Sequence, residues 1–415
     1  MEKEVAIVLG GTSAHIALIK NLQRRGYYVI LADYLKNPPA KEYADKHILA
    51  STLDQNEILE IAKENDAKLV ISACVDQANI TACYVMEQMG LTVPYSYETA
   101  LSITNKGEMK KRMFEYGVPT SKYVYVEKNT DLESLELPEF PLMVKPADCN
   151  SSSGVKKACN VEEMRNYLED ALKYSRNSRA VIESFVEGIE VSVYAFIKDK
   201  RARIIMISQR MSVIEGEQQV LKCYATLAPA PISDAAVQKL ENAATKIAEA
   251  FQLDNTPLHV QALINGDDID IIEFAPRVGG GISYKTIFEN TGFDIIDATI
   301  DSYLNHPVEI NAHAPECFYT VNLVYAWPGI YDHMEGQEKL IRDGIIEGMY
   351  YHKTSGMQIG DERAASARVG AFLIKADTLE ELKVKTKTAI ERLEVYSDSG
   401  EKIMRKELSI LRDLK

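Results

Sequence analysis

Gln261, Glu273 and Arg277 combine two residue types that can hold a metal ion with one that can hold an anion. They lie in or just after two apolar runs, 258–264 and 269–274, joined by Asn, Gly and Asp residues, a pattern that predicts a β-hairpin. Amide and carboxylate oxygens suit a hard cation such as Mg²⁺. The planar guanidinium of arginine can bind an anion through two parallel hydrogen bonds. This stretch is therefore the first candidate for a functional site.

Whether Gln261 and Glu273 can share one site depends on the register of the hairpin. Successive side chains of a strand point to opposite faces of the sheet, and directly paired residues share a face. A two-residue Asn265-Gly266 turn would pair Gln261 with Asp270, which places Glu273 on the opposite face. A loop of odd length, such as Gly266 to Asp268, pairs Gln261 with Glu273. A shared site therefore excludes the tight Asn-Gly turn.

Lys145 belongs to a second group of candidates. It lies among apolar residues of a strand predicted over 140–146, and the following Pro146 favours an extended backbone. A small-residue loop follows within a few positions, and its hydroxyl and backbone N–H groups can bind a phosphate. The loop consists of Ser151, Ser152, Ser153 and Gly154. The alternatives are an edge-strand lysine whose charged end reaches water and a serine-rich segment that is only a turn.

Lys106 opens a basic helix predicted over 106–117. Either it binds phosphate, or it is the first charge of a solvated face over an apolar stripe of Met109, Met113 and Tyr116. His259 is interpreted as a packed strand histidine in preference to a catalytic one, and Gln261 has the alternative reading of an ordinary polar residue on a strand face.

Two further basic residues, Arg210 and Lys222, could reach a substrate carboxylate. They lie in a segment, 208–231, that is predicted to be a polar connection with an extended Ala-Pro-Ala-Pro spacer. Cys149, near the serine-rich loop, is interpreted as a small filler.

The elements that must position these residues begin with a parallel α/β unit over residues 1 to about 100. A strand, the Gly10-Gly11 turn, a helix capped at Ser13 and a second strand ending at Asp33 resemble half of a dinucleotide fingerprint. The full Gly-x-Gly-x-x-Gly is absent. A turn that packs the helix on the sheet, or holds a small substrate, is therefore favoured over NAD binding. A nicotinamide-dependent oxidoreductase remains an alternative.

Beyond about residue 312 the sequence favours short strands and a last helix, opened by a capping box at Thr378. This region carries no recognisable chemistry.

The composition bounds the function classes. The 415 residues predict two to four domains, and 46% hydrophobic and 26% charged residues are typical of a soluble globular protein. The net charge of −14 argues against nucleic acid or an anionic membrane as a partner. Six scattered cysteines without a zinc-type pair, and the absence of a signal-like or membrane-spanning apolar run, favour the cytoplasm.

The order of the motifs along the chain resembles that of the ATP-grasp ligases. The resemblance is strongest to the branch with the carbamoyl phosphate synthetase large chain, biotin carboxylase and enzymes such as phosphoribosylglycinamide synthetase. It implies an α/β (α+β) chain with the ATP-grasp fold. The implied parts are a Rossmann-like pre-ATP-grasp domain at 1–104, an ATP-grasp domain at 105–312 with a lid subdomain at about 120–187, and a C-terminal mixed α/β region at 313–415.

The resemblance also implies a role for each matching residue. Two lysines would hold the α- and β-phosphates of ATP, the serine-rich loop would close over them, a hinge backbone would read the adenine edge, and a carboxylate would bind the ribose. These nucleotide-binding residues are Lys106, Lys145, Ser151, Ser152, Ser153, Gly154, Glu183, Ser184, Phe185, Val186 and Glu190. Gln261 and Glu273 would hold Mg²⁺, and Gln261 is also assigned to the nucleotide site. The residues implied in catalysis are Arg277, which would act on the transferred group, together with Lys145 and Glu273.

Two positions depart from the family pattern. Gln261 replaces the usual glutamate, as in the carbamoyl phosphate branch, and Ala275 replaces the asparagine of Glu-x-Asn-x-Arg. Since an alanine cannot bind a metal, a second magnesium would have one ligand fewer.

The resulting expectation is an ATP-dependent carboxylate–amine ligase that forms an acyl phosphate from a small carboxylic or amino acid and Mg-ATP, then an amide-type bond. Alternatives are a phosphoribosylamine–glycine ligase, a carbamoyl phosphate synthetase-like enzyme, and a catalytically weak ATP-binding module. Biotin carboxylation is a sub-case without a biotin carrier motif in this sequence. The expected partners are the two small substrates, with a homodimer as the default assembly.

Overall fold

The computed structural model describes residues 3–148, 154–215, 220–360 and 366–412. Its first region is a four-stranded parallel sheet with helices packed on it. The elements are β1 (Val5–Leu9), α1 (Ser13–Arg24), β2 (Tyr28–Asp33), β3 (Lys46–Leu49), α2 (Gln55–Glu64), β4 (Ala67–Ile71) and α3 (Asp76–Gln88). The strand order is β3-β2-β1-β4. Strands β1, β2 and β4 are nearly continuous apolar runs because a parallel sheet is covered on both faces.

Helix α1 begins one residue earlier than the sequence suggests. Thr12 is the N-cap, and Ser13 is the first helical residue. The helix ends where Gly26 adopts a φ of +95°, a left-handed conformation that glycine reaches without strain.

The second region is a four-stranded antiparallel sheet covered by one helix. The elements are α4 (Tyr97–Thr104), α5 (Lys106–Glu115), β5 (Tyr123–Glu127), β6 (Leu142–Pro146), β7 (Lys156–Ala158), α6 (Val161–Tyr174) and β8 (Arg179–Ser184). The order is β5-β8-β6-β7, so β6 is an inner strand and Lys145 on it is buried. The interpretation of Lys145 as an edge-strand lysine is therefore wrong.

The largest sheet has eight strands and continues beyond residue 312. Its elements and their neighbours are β9 (Ile189–Lys198), β10 (Arg201–Glu215), β11 (Val220–Ala228), α7 (Asp234–Phe251), β12 (Thr256–Asn265), β13 (Asp268–Ala275), α8 (Ser283–Thr291), α9 (Ile295–Tyr303), β14 (Phe318–Tyr325), β15 (Gly329–Glu335), α10 (Gln337–Arg342), β16 (Gly348–Tyr351), β17 (Gln358–Ile359), β18 (Arg368–Ala376), α11 (Leu379–Arg392) and β19 (Glu394–Ser397). The sheet order is β13-β12-β9-β10-β11-β14-β18-β16. The proposed boundary at 312 stays a prediction, and hydrogen-bonded strands cross it.

The smaller sheet β17-β15-β19 belongs to the C-terminal region. No helix in the described part of the chain is both long and apolar enough to cross a membrane.

The two faces of the eight-stranded sheet differ in chemistry. On β9, Val191, Val193 and Ala195 pack into the core that includes α7, while Ser192 and Tyr194 face a cavity on the other side. This is the alternation expected of strands with one apolar and one polar face.

The predicted polar connection over 208–231 is wrong, because most of it lies in β10 and β11. Ser208 and Arg210 face the cavity, as do alternate residues of β11, so the polar side chains that suggested a loop form the polar face of a sheet.

The hairpin of β12 and β13 pairs Gln261 directly with Glu273. The expected odd-length loop is wrong, because Asn265 pairs with Asp268 and the loop contains only two residues. The extra residue is Ile272, which forms a β-bulge next to Glu273 and restores the common face. The exclusion of a tight Asn265-Gly266 turn is confirmed.

Helix α5 is largely as predicted. Met109 and Met113 are buried, but Tyr116 is 47% exposed and does not belong to the apolar stripe. The side chain that takes its place on the buried face is Lys110, which is fully buried.

Candidate nucleotide and metal site

A buried cluster of two lysines and one carboxylate lies between α5 and the antiparallel sheet. Lys145 Nζ and Lys110 Nζ both contact Glu183, the second at 2.9 Å from Oε2. Lys110 also donates to Thr120 Oγ1 at 2.7 Å and to Ser121 Oγ at 3.1 Å. The Asp270 carboxylate also lies close enough to Lys110 and Lys145 to interact with them, so the cluster combines two buried cations with two carboxylates.

The pKa values of this cluster reflect its burial and its charges. Burial by itself would raise the pKa of Glu183, but Lys145 and Lys110 outweigh it and lower the pKa to about 2. Burial lowers the pKa of Lys145, and the Glu183 carboxylate opposes that change. Glu183 is therefore ionised at neutral pH, and its side chain positions the lysines.

A chain of polar contacts joins the residues of the hairpin to β9 and β10. Lys106 Nζ lies 3.2 Å from Glu273 Oε2. The Gln261 amide nitrogen donates to Glu273 Oε1 at 2.7 Å, and its oxygen accepts from Arg210 Nη1 at 3.1 Å. Arg210 Nε in turn donates to Glu190 Oε1 at 2.7 Å. The predicted metal pair and the predicted ribose carboxylate thus belong to one continuous network.

Glu273 lies close to several cations. Burial would raise its pKa, but Lys106, Lys145 and Arg277 lower it to about 2. Its side chain is still 37% exposed, because one side of it faces the cavity. An ionised, reachable carboxylate is the form that binds a cation.

Arg277 is held by the N-terminal region. Its Nε donates to Asp76 Oδ1 at 2.6 Å and its Nη2 to Asp76 Oδ2 at 3.1 Å, a bidentate pair, while Nη1 donates to the Val278 carbonyl at 2.9 Å. Asp76 is the first residue of α3, which follows the carboxyl end of β4 after residues 72–75. This contact fixes the plane of the guanidinium beside the cavity that both residues line.

The predicted hinge follows β8. The Ser184 N–H donates to the Lys122 carbonyl at 2.9 Å, and the Phe185 N–H donates to the Pro141 carbonyl at 3.0 Å. Lys157 Nζ lies 3.5 Å from the centroid of the Phe185 ring. Val186, like Ser184 and Phe185, is half-buried.

Of the predicted phosphate loop, Ser151, Ser152 and Ser153 lie outside the described residues, as does Cys149. Gly154 has a φ of +74°, and a Cβ there would lie 2.8 Å from Pro146 Cγ. The position therefore requires glycine.

A cavity of about 400 Å³ opens beside Glu273. His259 lines it and stacks on Tyr194 with ring centroids 5.2 Å apart. Burial, aided by Arg277 and Arg210, lowers the pKa of His259 to about 3, so the ring is neutral at pH 7. Arg368 on β18 lines the cavity as well.

Sequence reasoning missed three of these residues. Lys110 follows Lys106 by four positions, which puts both on one helix face, and its neighbours Met109 and Met113 mark that face as buried. Asp76 follows the end of a parallel strand, where α/β sheets bind ligands, and that rule could have found it. Arg368 carries no signal in the sequence.

Comparisons with known proteins match this chain to ATP-grasp proteins. The family profile described as an ATP-grasp domain matches residues 138–285. A formate-dependent phosphoribosylglycinamide formyltransferase of Ignicoccus hospitalis is 25% identical over 247 residues, 58% of this chain and 61% of that protein. The mitochondrial ammonia-dependent carbamoyl-phosphate synthase of Homo sapiens is 29% identical over 191 residues, 45% of this chain and 12% of that protein.

Among solved structures, an L-amino acid ligase of Bacillus licheniformis superposes with a TM-score of 0.78 at 16% identity, covering 96% of this chain and all of that one. At such identity the likeness shows a common fold. The chain spans less than two thirds of the length of the first formyltransferase.

Proposed function

We propose that this chain, which belongs to the ATP-grasp superfamily, is an ATP-dependent carboxylate–amine ligase. One observation carries the proposal: Lys106, Glu273, Gln261 and Arg210 form one hydrogen-bonded and ionic network at the edge of the cavity. Lys145 and Arg277 are near enough to lower the pKa of Glu273. Such a concentration of paired charges at a cavity suits the phosphates of a nucleotide and its metal ion.

The Gln261 and Glu273 side chains fit a magnesium ion. They are directly paired and share a face. Without metal the amide nitrogen faces Glu273, and to bind the ion the amide would turn its oxygen from Arg210 towards Glu273. Among the described residues no cluster of three His, Cys, Asp or Glu side chains could hold a metal. Two protein oxygen ligands suit Mg²⁺, which usually keeps several waters and substrate phosphates. When bound, the ion would offset the negative charge of those phosphates.

The ion pairs of the site would exchange partners when nucleotide binds. Lys106 and Glu273 neutralise each other at 3.2 Å. With Mg-ATP, the lysine would turn to a phosphate and the carboxylate to the metal, so both charges stay compensated. Lys145 keeps its position through Glu183, which is too deeply buried to reorient.

Arg277 would stabilise the charge that develops when the γ-phosphoryl group passes to the acid. Its pairing with Asp76 sets the guanidinium before substrates arrive, which lowers the reorganisation required during the reaction. The amine then attacks the acyl carbon, and phosphate leaves. Splitting one condensation into two steps is the chemical reason to consume ATP.

Within this proposal the enzyme works in the cytoplasm on two small molecules, and a homodimer is the default assembly. Phosphoribosylamine–glycine ligase and carbamoyl phosphate synthetase-like activities are specific versions of the same chemistry, and the similarity to a carbamoyl-phosphate synthase supports the second. A second candidate is an ATP-binding module with little turnover, favoured by Ala275, which cannot ligate a metal.

The test is ADP release with Mg²⁺ over a matrix of amino acids, small carboxylates and amines. We expect release that needs both an acid and an amine, and its loss in Glu273→Ala and Arg277→Ala. The matched controls are Glu169→Ala and Arg165→Ala, because both residues are largely exposed on α6. ATP binding by calorimetry without release across the matrix would favour the binding module. Full turnover in both site variants would mean that this site is wrongly assigned.

A further inference from the structure

The cavity beside Glu273 extends over the sheet to Arg368, and one of its cations differs from the others. Three lining cations pair with protein carboxylates: Lys106 with Glu273, Arg210 with Glu190 and Arg277 with Asp76. Within the described ranges no carboxylate forms an ion pair with Arg368, although it lines the same cavity. Since a half-buried guanidinium gains from an anionic partner, the missing partner is expected from the ligand.

A hydrogen bond to Tyr325 fixes the position of the Arg368 side chain. Its Nε donates to the Tyr325 hydroxyl at 2.8 Å, and that hydroxyl donates to the Cys223 carbonyl at 2.8 Å. Tyr325 is fully buried and lies opposite Arg368 in the pairing of β14 with β18. No other hydrogen bond of the guanidinium involves a described residue, so its terminal nitrogens remain available for a planar anion.

Arg368 and Glu273 lie on well-separated strands of the sheet. Five strands separate β18 from β13, which carries Glu273. Neighbouring strands are about 4.8 Å apart. Arg368 and Glu273 therefore contact different parts of whatever fills the cavity.

The surroundings of Arg368 favour a singly charged group on a partly apolar body. Val321 and Leu323 line the cavity from β14, the strand next to β18, and Leu221 lines it from β11, the strand after that. A phosphate monoester carries nearly two charges and is usually met by several donors or cations. One arginine with apolar neighbours matches a carboxylate better.

We propose that Arg368 binds a second carboxylate of the substrates, one that ATP does not activate. The inference rests on the proposed ligase function. The second carboxylate has two possible carriers with the same chemistry: an amino acid that serves as the amine, or a dicarboxylic acid that serves as the acid. In either case this residue selects substrates and takes no part in bond formation.

The experiment measures binding first and turnover second. Wild type, Arg368→Gln and Arg368→Lys are titrated, in the presence of Mg-ADP, with amino acids and their carboxamides, and with dicarboxylates and their half-amides. A further variant, Tyr325→Phe, keeps the charge of Arg368 and removes the hydrogen bond that orients its guanidinium. Arg165→Gln is the control, because Arg165 is an exposed arginine on α6. ADP release is then measured for the same variants with pairs of one acid and one amine.

We expect one family of carboxylates to bind wild type more tightly than its amides. Arg368→Gln should weaken that binding by roughly 10- to 100-fold without changing the affinity for amides, because one charged hydrogen-bonded contact is lost. Arg368→Lys and Tyr325→Phe should bind these carboxylates more weakly than wild type and more tightly than Arg368→Gln. The family that responds, amino acid or dicarboxylate, identifies the carrier of the second carboxylate.

Equal binding of acids and amides by wild type would overturn the proposal, as would unchanged selectivity in Arg368→Gln. A wild-type protein that binds none of these compounds, or binds only their phosphate esters through Arg368, would overturn it too. Arg368-dependent carboxylate binding without ADP release for any pair would contradict the ligase function and leave this inference standing.

Discussion

Two places in this chain have the sequence features of a phosphate site, and they differ in the side chains that pack next to the backbone. Under the Gly10-Gly11 turn, the His15 ring fills the space, with Nδ1 accepting from the Thr12 N–H at 3.2 Å and Nε2 3.2 Å from Ser72 Oγ. A Cβ on Gly11 would lie 2.4 Å from Pro38 Cβ. The Asp33 carboxylate also lies against this turn, with Oδ2 3.1 Å from the same Cβ position, and a carboxylate there would repel a phosphate.

Under the second place, at the end of β6, lie Lys145, Lys110 and Glu183, all buried and charged. The difference teaches that a glycine turn before a helix indicates close packing as readily as it indicates a ligand. A cluster of buried cations is the better indicator, because buried charge is costly and is concentrated where a site uses it.

The largest expected effect follows from removing a charge at the second place. Lys145→Met should reduce ADP release by about 10²- to 10³-fold, because a cation aimed at the phosphates is lost. His15→Asn should leave turnover within about threefold, a change of under 1 kcal/mol in the barrier. Steady-state ADP release with saturating acid and amine provides the measurement. Comparable losses in both variants would remove the distinction between the two places.

The next effect concerns Glu183 and acid stability. Its pKa is depressed to about 2 from 4.5, so it stabilises the fold fully above pH 4.5, and this contribution is lost as the pH falls towards 2. The loss amounts to about 3 kcal/mol over that window.

Glu183→Gln should lower the thermal midpoint at pH 7, since it leaves two buried lysines without their carboxylate, and should flatten the decline between pH 4.5 and 2. Thermal unfolding across this pH range checks both. A Gln variant with the wild-type pH profile would show that Glu183 is not the group responsible.

His15 predicts a separate and smaller window. Burial lowers its pKa from 6.5 to about 4, so the unfolded chain takes up a proton before the folded one does. Stability is complete above pH 6.5 and falls until about pH 4, where the contribution levels off. His15→Asn should make this slope shallower without removing it, because burial also lowers the pKa of His352 to about 4 and that of His259 to about 3, and both histidines contribute over the same range. The lower window of Glu183 should stay intact. Parallel denaturant titrations at pH 7, 5, 4 and 3 would distinguish the two.

The smallest effect is expected from Gln261→Glu. The new carboxylate would face Glu273 Oε1, which now accepts a hydrogen bond from the amide at 2.7 Å. Without metal, the repulsion should lower the thermal midpoint by a few degrees. With Mg²⁺ and ADP, the added charge should strengthen metal binding within about tenfold, equivalent to 1.4 kcal/mol. Magnesium titration followed by thermal shift tests this, and Gln261→Asn is the neutral control.

Sequence patterns predicted the parallel N-terminal unit and helix α5, because apolar periodicity is a local property. They made the pairing of Gln261 with Glu273 conditional on a loop of odd length, and the structure has a two-residue loop and a bulge instead. They could not predict how the pairing arises, since the bulge at Ile272 depends on the neighbouring strands. The segment over 208–231 was mistaken for a connection because its polar residues face a cavity that no local pattern reveals.

Within the site, the sequence singled out Lys106, Lys145 and Arg277 as candidate functional residues, but it did not predict which residues they contact. Asp76 reaches Arg277 from 201 positions away along the chain. Glu183, expected to contribute its backbone, has a side chain that holds Lys145 and Lys110. Such contacts depend on how separate regions pack together, and local sequence does not contain that information.

The most direct test of the ligase proposal follows one oxygen atom. An acid found active in the ADP release matrix is labelled with ¹⁸O in its carboxylate and turned over with ATP and the amine. If an acyl phosphate forms and the amine displaces phosphate, one labelled oxygen per turnover must appear in inorganic phosphate. Phosphate without label, at a normal rate of ADP release, would contradict the proposed reaction.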